Sequence, residues 1–133
     1  MKVWTSYYAK IDKLRQLGFR DFIAVSGWIP EFYREVMENN PHKRLISFRR
    51  LVELSPKKEW FFDWKEGKLG NEEYIRLYYE TVLNKLDFEQ IKSFLNENSV
   101  LLCYEKRGDF CHRHLISDWL NEHGIECAEM ENV

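Results

Sequence analysis

The segment from Val100 to Trp119 constrains the fold more than any other part of the chain. It reads VLLCYEKRGDFCHRHLISDW, the pattern of a buried strand, a tight polar turn and an amphipathic helix. The apolar run Val100–Leu102, which ends at Cys103, is typical of a strand covered on both faces. Apolar residues then recur at helical spacing, at Leu115, Ile116, Trp119 and Leu120. A covered strand that leads directly into a helix favours an α/β fold.

The turn within this segment gathers many reactive side-chain types. They are Cys103, Glu105, Arg107, Asp109, Cys111, His112, Arg113 and His114. Open α/β sheets bind ligands beyond the carboxyl ends of their strands, and the unpaired N–H groups that begin a helix attract anions. The segment therefore predicts a site for a small anionic ligand, with Asp109 as the expected N-cap of the helix.

The rest of the chain alternates between strand and helix patterns. Strands are predicted over Lys2–Tyr7, Asp21–Ser26 and Ile125–Met130, and helices over Ala9–Leu17, Pro30–Asn39, Lys57–Glu66, Glu72–Leu86 and Phe88–Asn96. Leu45–Leu54 is compatible with either, and Asn71 and Asp87 are the predicted N-caps of the two helices that follow them.

This order predicts a Rossmann-like three-layer sandwich with a mostly parallel sheet and a helical insert. The Val100–Tyr104 strand is expected in the interior of the sheet. With no repeat, linker or low-complexity tract, residues 1–133 are expected to form a single domain.

The segment from Val100 to Trp119, which we call the signature segment, resembles the conserved motif of the domain-of-unknown-function 488 family. There, a strand ending in Leu-Leu-Cys-x-Glu is followed by a short loop and by Cys-His-Arg at the start of a helix. The matching residues are Leu101, Leu102, Cys103, Glu105, Cys111, His112 and Arg113. Val3–Leu14 and Leu54–Asp87 resemble the opening strand and the central helices of one branch. The commoner branch ends its second strand in Asp-Val-Arg, where this chain reads Ala24-Val25-Ser26-Gly27-Trp28. The resemblance implies a fold and a site; the family name records no established activity.

Three residues of the signature are candidates for catalysis. Cys111 near a helix N-terminus and beside Arg113 is predicted to favour the thiolate, and His112 is a candidate general acid or base. Glu105 is a candidate base, or a carboxylate that orients His112 or pairs with Arg113. The alternative is a structural role, with Cys111 as a packing residue and Glu105 and Arg113 as an internal ion pair.

Ligand binding is assigned to residues at the strand ends and the helix start. The candidates are Thr5, Ser6, Tyr7, Cys103 and Arg113. Arg113 is expected to hold a phosphate or carboxylate through two parallel hydrogen bonds, and the hydroxyls of Thr5 and Ser6 to assist it, although such hydroxyls also cap local backbone. The sequence predicts that these residues and the catalytic candidates surround one concavity.

No metal and no cofactor is predicted. Cys103, Cys111, His112 and His114 are zinc-type ligands, but they lack paired metal-binding hooks, and two histidines two residues apart cannot both face Cys103. A site of Cys103, Cys111 and one histidine with a water is feasible, yet we expect no stoichiometric zinc in the purified protein. The chain contains neither a G-x-G-x-x-G nor a G-x-x-x-x-G-K-[ST] motif, which disfavours dinucleotide and P-loop binding.

Composition narrows the partners further. The net charge of −2 argues against a purely electrostatic nucleic-acid binder, although the aromatic content of 16% and basic residues between Lys43 and Arg50 permit nucleic-acid binding. The leading hypothesis is an enzyme, a hydrolase or transferase, or a ligand-binding domain for a nucleotide or another phosphate-bearing ligand. Alternatives are a nucleic-acid-binding or processing module and a metal-binding or structural interaction domain.

Cysteine usage and hydropathy bear on location. The chain has three cysteines, no apolar stretch of membrane-spanning length and no signal-peptide pattern. These features predict a cytoplasmic protein with reduced thiols and no membrane partner. They do not determine its oligomeric state.

Overall fold

The computed structural model describes residues 1–39, 46–106, 108–131 and 133. Its centre is a sheet of five parallel strands in the order β3-β2-β4-β1-β5. The strands are β1 (Lys2–Tyr7), β2 (Asp21–Ala24), β3 (Ser47–Arg50), β4 (Val100–Cys103) and β5 (Glu126–Glu129). The predicted Rossmann-like α/β fold is confirmed, and the interior position of β4, between β2 and β1, agrees with its apolar sequence.

Six α-helices among the described residues cover the sheet. They are α1 (Ile11–Gln16), α2 (Glu31–Asn39), α3 (Lys58–Lys65), α4 (Asn71–Thr81), α5 (Phe88–Phe94) and α6 (His112–Glu122). Helices α3, α4 and α5 lie between β3 and β4 in the chain and form the predicted helical insert. The stretch before α3, whose sequence was compatible with either a strand or a helix, contains both: β3 comes first, and a short 3-10 helix at Val52–Leu54 follows.

Two apolar cores lie on the two faces of the sheet. One face packs Phe22, Ala24 and Leu102 against α1 and α2. The other packs Val25, Leu101 and Cys103 against the helical insert and α6. This alternation follows from the two-residue period of a strand, which sends neighbouring side chains to opposite faces. The second face also carries the signature residues at the end of β4.

Several helix boundaries differ from the predicted ones. The N-cap of α4 is Gly70 rather than Asn71, and α4 ends at Thr81 because Val82 leaves the helical conformation. The predicted N-cap Asp87 is confirmed, since its carboxylate accepts a hydrogen bond of 3.0 Å from the Glu89 amide. The N-cap of α6 is Cys111 rather than Asp109, so this helix begins two residues later than expected.

A few sequence-based interpretations fall on residues outside the described ranges. These are the basic residues Lys43 and Arg44, which are candidates for nucleic-acid binding, and the turn residue Arg107. Nearby, Arg49 pairs with Asp21 at 2.6 Å and is not a free surface charge. Within the ranges that the structure covers, no helix is both long enough and apolar enough to cross a membrane.

Candidate functional site

The signature residues meet where β4 ends and α6 begins. Helix α6 packs on β1, β4 and β5, which brings its first turn against the ends of these strands. Successive residues on a helix are about 100° apart around its axis. His112 and Arg113, the first two residues of α6, therefore point to different sides: His112 reaches β2 and Arg113 reaches β5.

On the β5 side, Arg113 lies in a closed set of polar contacts that we call the arginine cluster. Its Nε and Nη2 donate to the Glu129 carboxylate at 3.1 and 2.8 Å. The hydroxyl of Thr5 donates to the same carboxylate at 2.6 Å. Nη1 donates to the backbone carbonyl of Glu105 and to Cys103 Sγ, the latter at 3.2 Å. Thr5, Arg113 and Glu129 thus bind β1, α6 and β5 together.

The environment of this cluster suits a permanent ion pair. Arg113 is fully buried, with an exposed fraction of 0%. Burial alone would raise the pKa of the Glu129 carboxyl, but hydrogen bonds from Arg113 and Thr5 and the guanidinium charge lower it below its ordinary value. In this conformation the donors of Arg113 are enclosed and engaged by protein groups, so they do not line the cleft, and the predicted contact of Arg113 with a ligand phosphate stays a prediction. The expected internal pair exists, but its carboxylate belongs to Glu129 rather than Glu105.

On the β2 side, His112 is buried against the strand end. Its Nε2–H donates to the Val25 carbonyl at 2.7 Å, which leaves Nδ1 as the ring nitrogen that carries the lone pair. Nδ1 lies 3.8 Å from Cys111 Sγ. Burial lowers the pKa of His112 to about 4, so the imidazole is neutral near pH 7. His112 can accept a proton or a metal at Nδ1, but it does not act as a cationic anion-binding group.

The two signature cysteines are joined as a disulfide, Cys103 to Cys111. The end of β4 and the N-cap of α6 bring their sulfurs together. The expectation of reduced thiols is therefore wrong for this pair, and Cys111 is not a free thiolate in this form. Cys127, on β5, is a buried free thiol.

An aromatic cleft opens in front of these groups. Its aromatic lining consists of Trp28, Phe61, Trp64, Tyr74 and Tyr104. Its polar lining includes Ser26, Lys65, Glu105, Cys111 and His112. Trp28 and Tyr104 are about half exposed at its mouth, at 46% and 49%. The cleft encloses about 110 Å³ and has mostly aromatic walls with a polar floor.

Glu105 contributes the carboxylate of this lining. Its Oε1 lies 3.5 Å from Lys65 Nζ, and its Oε2 lies 3.4 Å from Cys103 Sγ. Burial and the negative charge of Glu105 raise the pKa of the Tyr74 hydroxyl, which keeps this wall of the cleft uncharged. Glu105 is thus placed between the sulfur pair and the open cleft.

The predicted site residues form one connected cluster but do not all face the cleft. Glu105, Cys111 and His112 line it. Cys103 lies fully buried behind Cys111, and Thr5 and Arg113 belong to the arginine cluster. The cleft therefore takes only part of the predicted set, because the first turn of α6 points His112 and Arg113 to different sides.

The two remaining candidates from β1 also lie away from the cleft lining. The Tyr7 ring lies 5.8 Å from the Arg113 guanidinium carbon. Ser6 is buried at 1% exposure and is the β1 partner of Leu102 in the sheet register. Both residues therefore support the strand end from which the arginine cluster is built.

The residues that surround the first turn of α6 on its β2 side and on its β5 side were missed by the sequence analysis. Trp28, Trp64 and Lys65 come from the loop after β2 and from α3, and Glu129 comes from β5. A weak signal existed for Glu129, because a glutamate at alternating spacing with Cys127 in a half-buried strand needs a partner. No local pattern indicated that the loop after β2 and α3 face Glu105.

Comparison with known proteins identifies a family. A family model described as the active DUF488-N3 subclade matches residues 14–124, which confirms the resemblance inferred from the signature. No curated protein and no solved structure shows a significant match to the chain.

Proposed function

The chain belongs to the active DUF488-N3 subclade, and from this premise we propose that it is an enzyme acting on a nucleotide-like substrate held in the aromatic cleft. The observation that carries the proposal is the cleft itself, with aromatic walls and with Glu105, Cys111 and His112 at its polar end. The subclade's description as active supports an enzyme rather than a purely structural domain.

The dimensions of the cleft favour a flat ring as the group it accepts. Its volume of about 110 Å³ is well below the roughly 300–1,000 Å³ of pockets that enclose a drug-sized ligand. A single planar base fits this space, and half-exposed Trp28 and Tyr104 offer ring faces on which it can stack. Any larger substituent of the base must extend out of the cleft.

A neighbouring groove suits that substituent. It encloses about 470 Å³ and shares Gly27, Trp28, Pro56 and Phe61 with the cleft. Its basic lining residues are Arg50, Lys57 and Lys58, and Arg50 donates to the Gly27 carbonyl at 2.7 Å where the two spaces meet. Lys58 Nζ lies 5.4 Å from the centre of a Trp28 ring. These cations replace Arg113 as the proposed phosphate-binding groups.

Glu105 is the proposed acid–base residue. Cys111 is held in a disulfide and His112 donates its Nε2 proton to a backbone carbonyl, so neither offers a transferable proton to the cleft in this form. The Glu105 carboxylate can take a proton from a water or an acceptor hydroxyl as it attacks the bound substrate, and can return that proton to the leaving group. This chemistry fits a hydrolase or a transferase.

The binding half of the proposal is tested with ligands that separate ring from phosphate. Nucleoside 5′-monophosphates are expected to quench the fluorescence of Trp28 and Trp64, whereas ribose 5-phosphate, which lacks a base, should bind much more weakly. Trp28→Ala should lose about 1–3 kcal/mol of stacking, or roughly 5- to 150-fold in affinity.

Phe32→Ala is the matched control, because Phe32 is 48% exposed and lies away from the cleft. Equal losses in the two variants, or binding of ribose 5-phosphate as tight as that of the nucleotides, would contradict a base-stacking cleft.

The catalytic half is tested at Glu105. Glu105→Gln keeps the shape and removes the proton-accepting charge, so turnover of nucleotide substrates should fall by about 10²- to 10⁴-fold while nucleotide affinity changes little. Full activity in Glu105→Gln, measured on a substrate that the wild-type protein converts, would exclude this role.

A further inference from the structure

Three potential metal ligands converge where β4 ends and α6 begins, and two of them, Cys111 and His112, line the cleft. The donor atoms of Cys103, Cys111 and His112 all lie within 4.8 Å of one another, and all three residues are buried. Ligands around one zinc ion lie about 2.0–2.3 Å from it, so the donors of one site must be within a few ångström of each other. These three lie within that distance, and reduction of the disulfide frees the two sulfurs to separate around one ion.

The orientation of His112 is that of a metal ligand. A histidine that binds a metal through one ring nitrogen commonly donates the other N–H to a backbone carbonyl or carboxylate, which fixes the tautomer. Here Nε2–H donates to the Val25 carbonyl at 2.7 Å, and Nδ1 faces the sulfur of Cys111 at 3.8 Å. The sequence objection that two histidines cannot both face Cys103 does not apply, because a single histidine completes the set.

The groups around the sulfurs suit anionic ligands. Arg113 Nη1 donates to Cys103 Sγ at 3.2 Å, a contact that stabilises a thiolate. Glu105 Oε2 lies 3.4 Å from the same sulfur, on the cleft side. Two thiolates and Glu105 would carry three negative charges, which a divalent ion and Lys65 balance, while Arg113 and Glu129 balance each other.

We infer that the reduced protein binds one zinc ion through Cys103 Sγ, Cys111 Sγ and His112 Nδ1, with a water as the fourth ligand. The disulfide and the ion are alternative states of the same two sulfurs. A dithiol reductant supplies two electrons and two protons, which convert the disulfide to two thiols while the reductant becomes a disulfide. Zinc then displaces the two thiol protons.

The test titrates the full chain with Co²⁺ under anaerobic conditions, before reduction and after reduction by a phosphine that is then removed. The oxidised chain should bind no cobalt. The reduced chain should bind one ion, with thiolate-to-cobalt charge-transfer absorption that Zn²⁺ abolishes as it displaces cobalt. A reduced chain that develops no such absorption would overturn the site.

Variants locate the ion and separate this inference from the proposed function. His112→Ala and Cys111→Ser should lose more affinity than the roughly 10- to 100-fold that removal of an outer partner costs. Cys127→Ser, which removes the separate buried thiol, and Trp28→Ala, which impairs only the proposed base stacking, should bind cobalt as the wild type does. If Cys127→Ser lost the ion as fully as Cys111→Ser, or if His112→Ala retained it, the assignment would be wrong.

Discussion

The two sides of the first turn of α6 are both buried and polar, but they differ in whether their polar groups are bonded within the protein or face a cavity. On the β5 side, the arginine cluster is saturated: Arg113 is completely enclosed and its donors meet Glu129, Cys103 and a backbone carbonyl. On the β2 side, the His112 Nδ1 lone pair and the Glu105 carboxylate face sulfurs and an open cleft. A polar group whose partners are all internal holds the fold, whereas polar groups that border a cavity are available for chemistry.

The largest expected effect comes from breaking the closed side. Arg113→Ala leaves the Glu129 carboxylate buried without its cation, so the free energy of unfolding should fall by about 3–5 kcal/mol. Chemical denaturation measures this loss. Arg76→Ala is the control, because Arg76 and Glu80 form an exposed pair on α4 whose loss should cost no more than about 0.5 kcal/mol.

If Arg113→Ala lowered the free energy of unfolding only slightly and weakened nucleotide binding, the assignment of the β5 side to the fold would be wrong. The arginine would then act at the ligand rather than in the fold.

The pH dependence of stability gives a second, smaller effect on the closed side. The pKa of Glu129 is lower in the folded protein than its ordinary value of 4.5. Its contribution to stability is therefore present above about pH 4.5 and is lost as the pH falls through the folded-state pKa. The difference in unfolding free energy between wild type and Glu129→Gln should be constant near neutral pH and should shrink on acidification below pH 4.5. A difference that does not change down to pH 3 would show that the Glu129 charge contributes nothing.

The smallest effect is expected on the open side. Lys65 and Glu105 form a partly exposed pair at 3.5 Å, so Lys65→Ala should change the free energy of unfolding by at most about 1 kcal/mol. A loss as large as that of Arg113→Ala would place Lys65 among the groups that hold the fold.

Much of the architecture could be predicted from the sequence because its signals are local. The apolar run Val100–Leu102 indicated an interior strand, and β4 is one. Gly18 and Gly124, both with positive φ, follow the ends of α1 and α6, where helices commonly terminate. Asp87 caps α5 as its residue type suggested. Strand period, helix period and capping each depend on a few neighbouring residues, so they can be read without knowing the fold.

The candidate site was predictable only in part. Glu105, Cys111 and His112 belong to one short segment, and they do meet at the cleft. Arg113 directly follows these residues in the chain and was predicted to join them, yet it belongs to the arginine cluster. Its direction depends on where α6 begins, and a helix that starts at His112 rather than near Asp109 rotates each side chain that follows.

The sequence by itself determined the α/β class, the interior strand and the local gathering of sulfur, imidazole and carboxylate groups at the end of that strand. Only the tertiary structure decided that Glu129 takes Arg113, that Cys103 joins Cys111, and that Trp28 and Trp64 form walls in front of Glu105. Cys103 and Cys111 are only eight residues apart, but the other pairings depend on the strand order β3-β2-β4-β1-β5, which places β5 beside β1 and β2 beside β4. Residues distant in the chain become neighbours through that order, and the local periods of strands and helices carry no information about it.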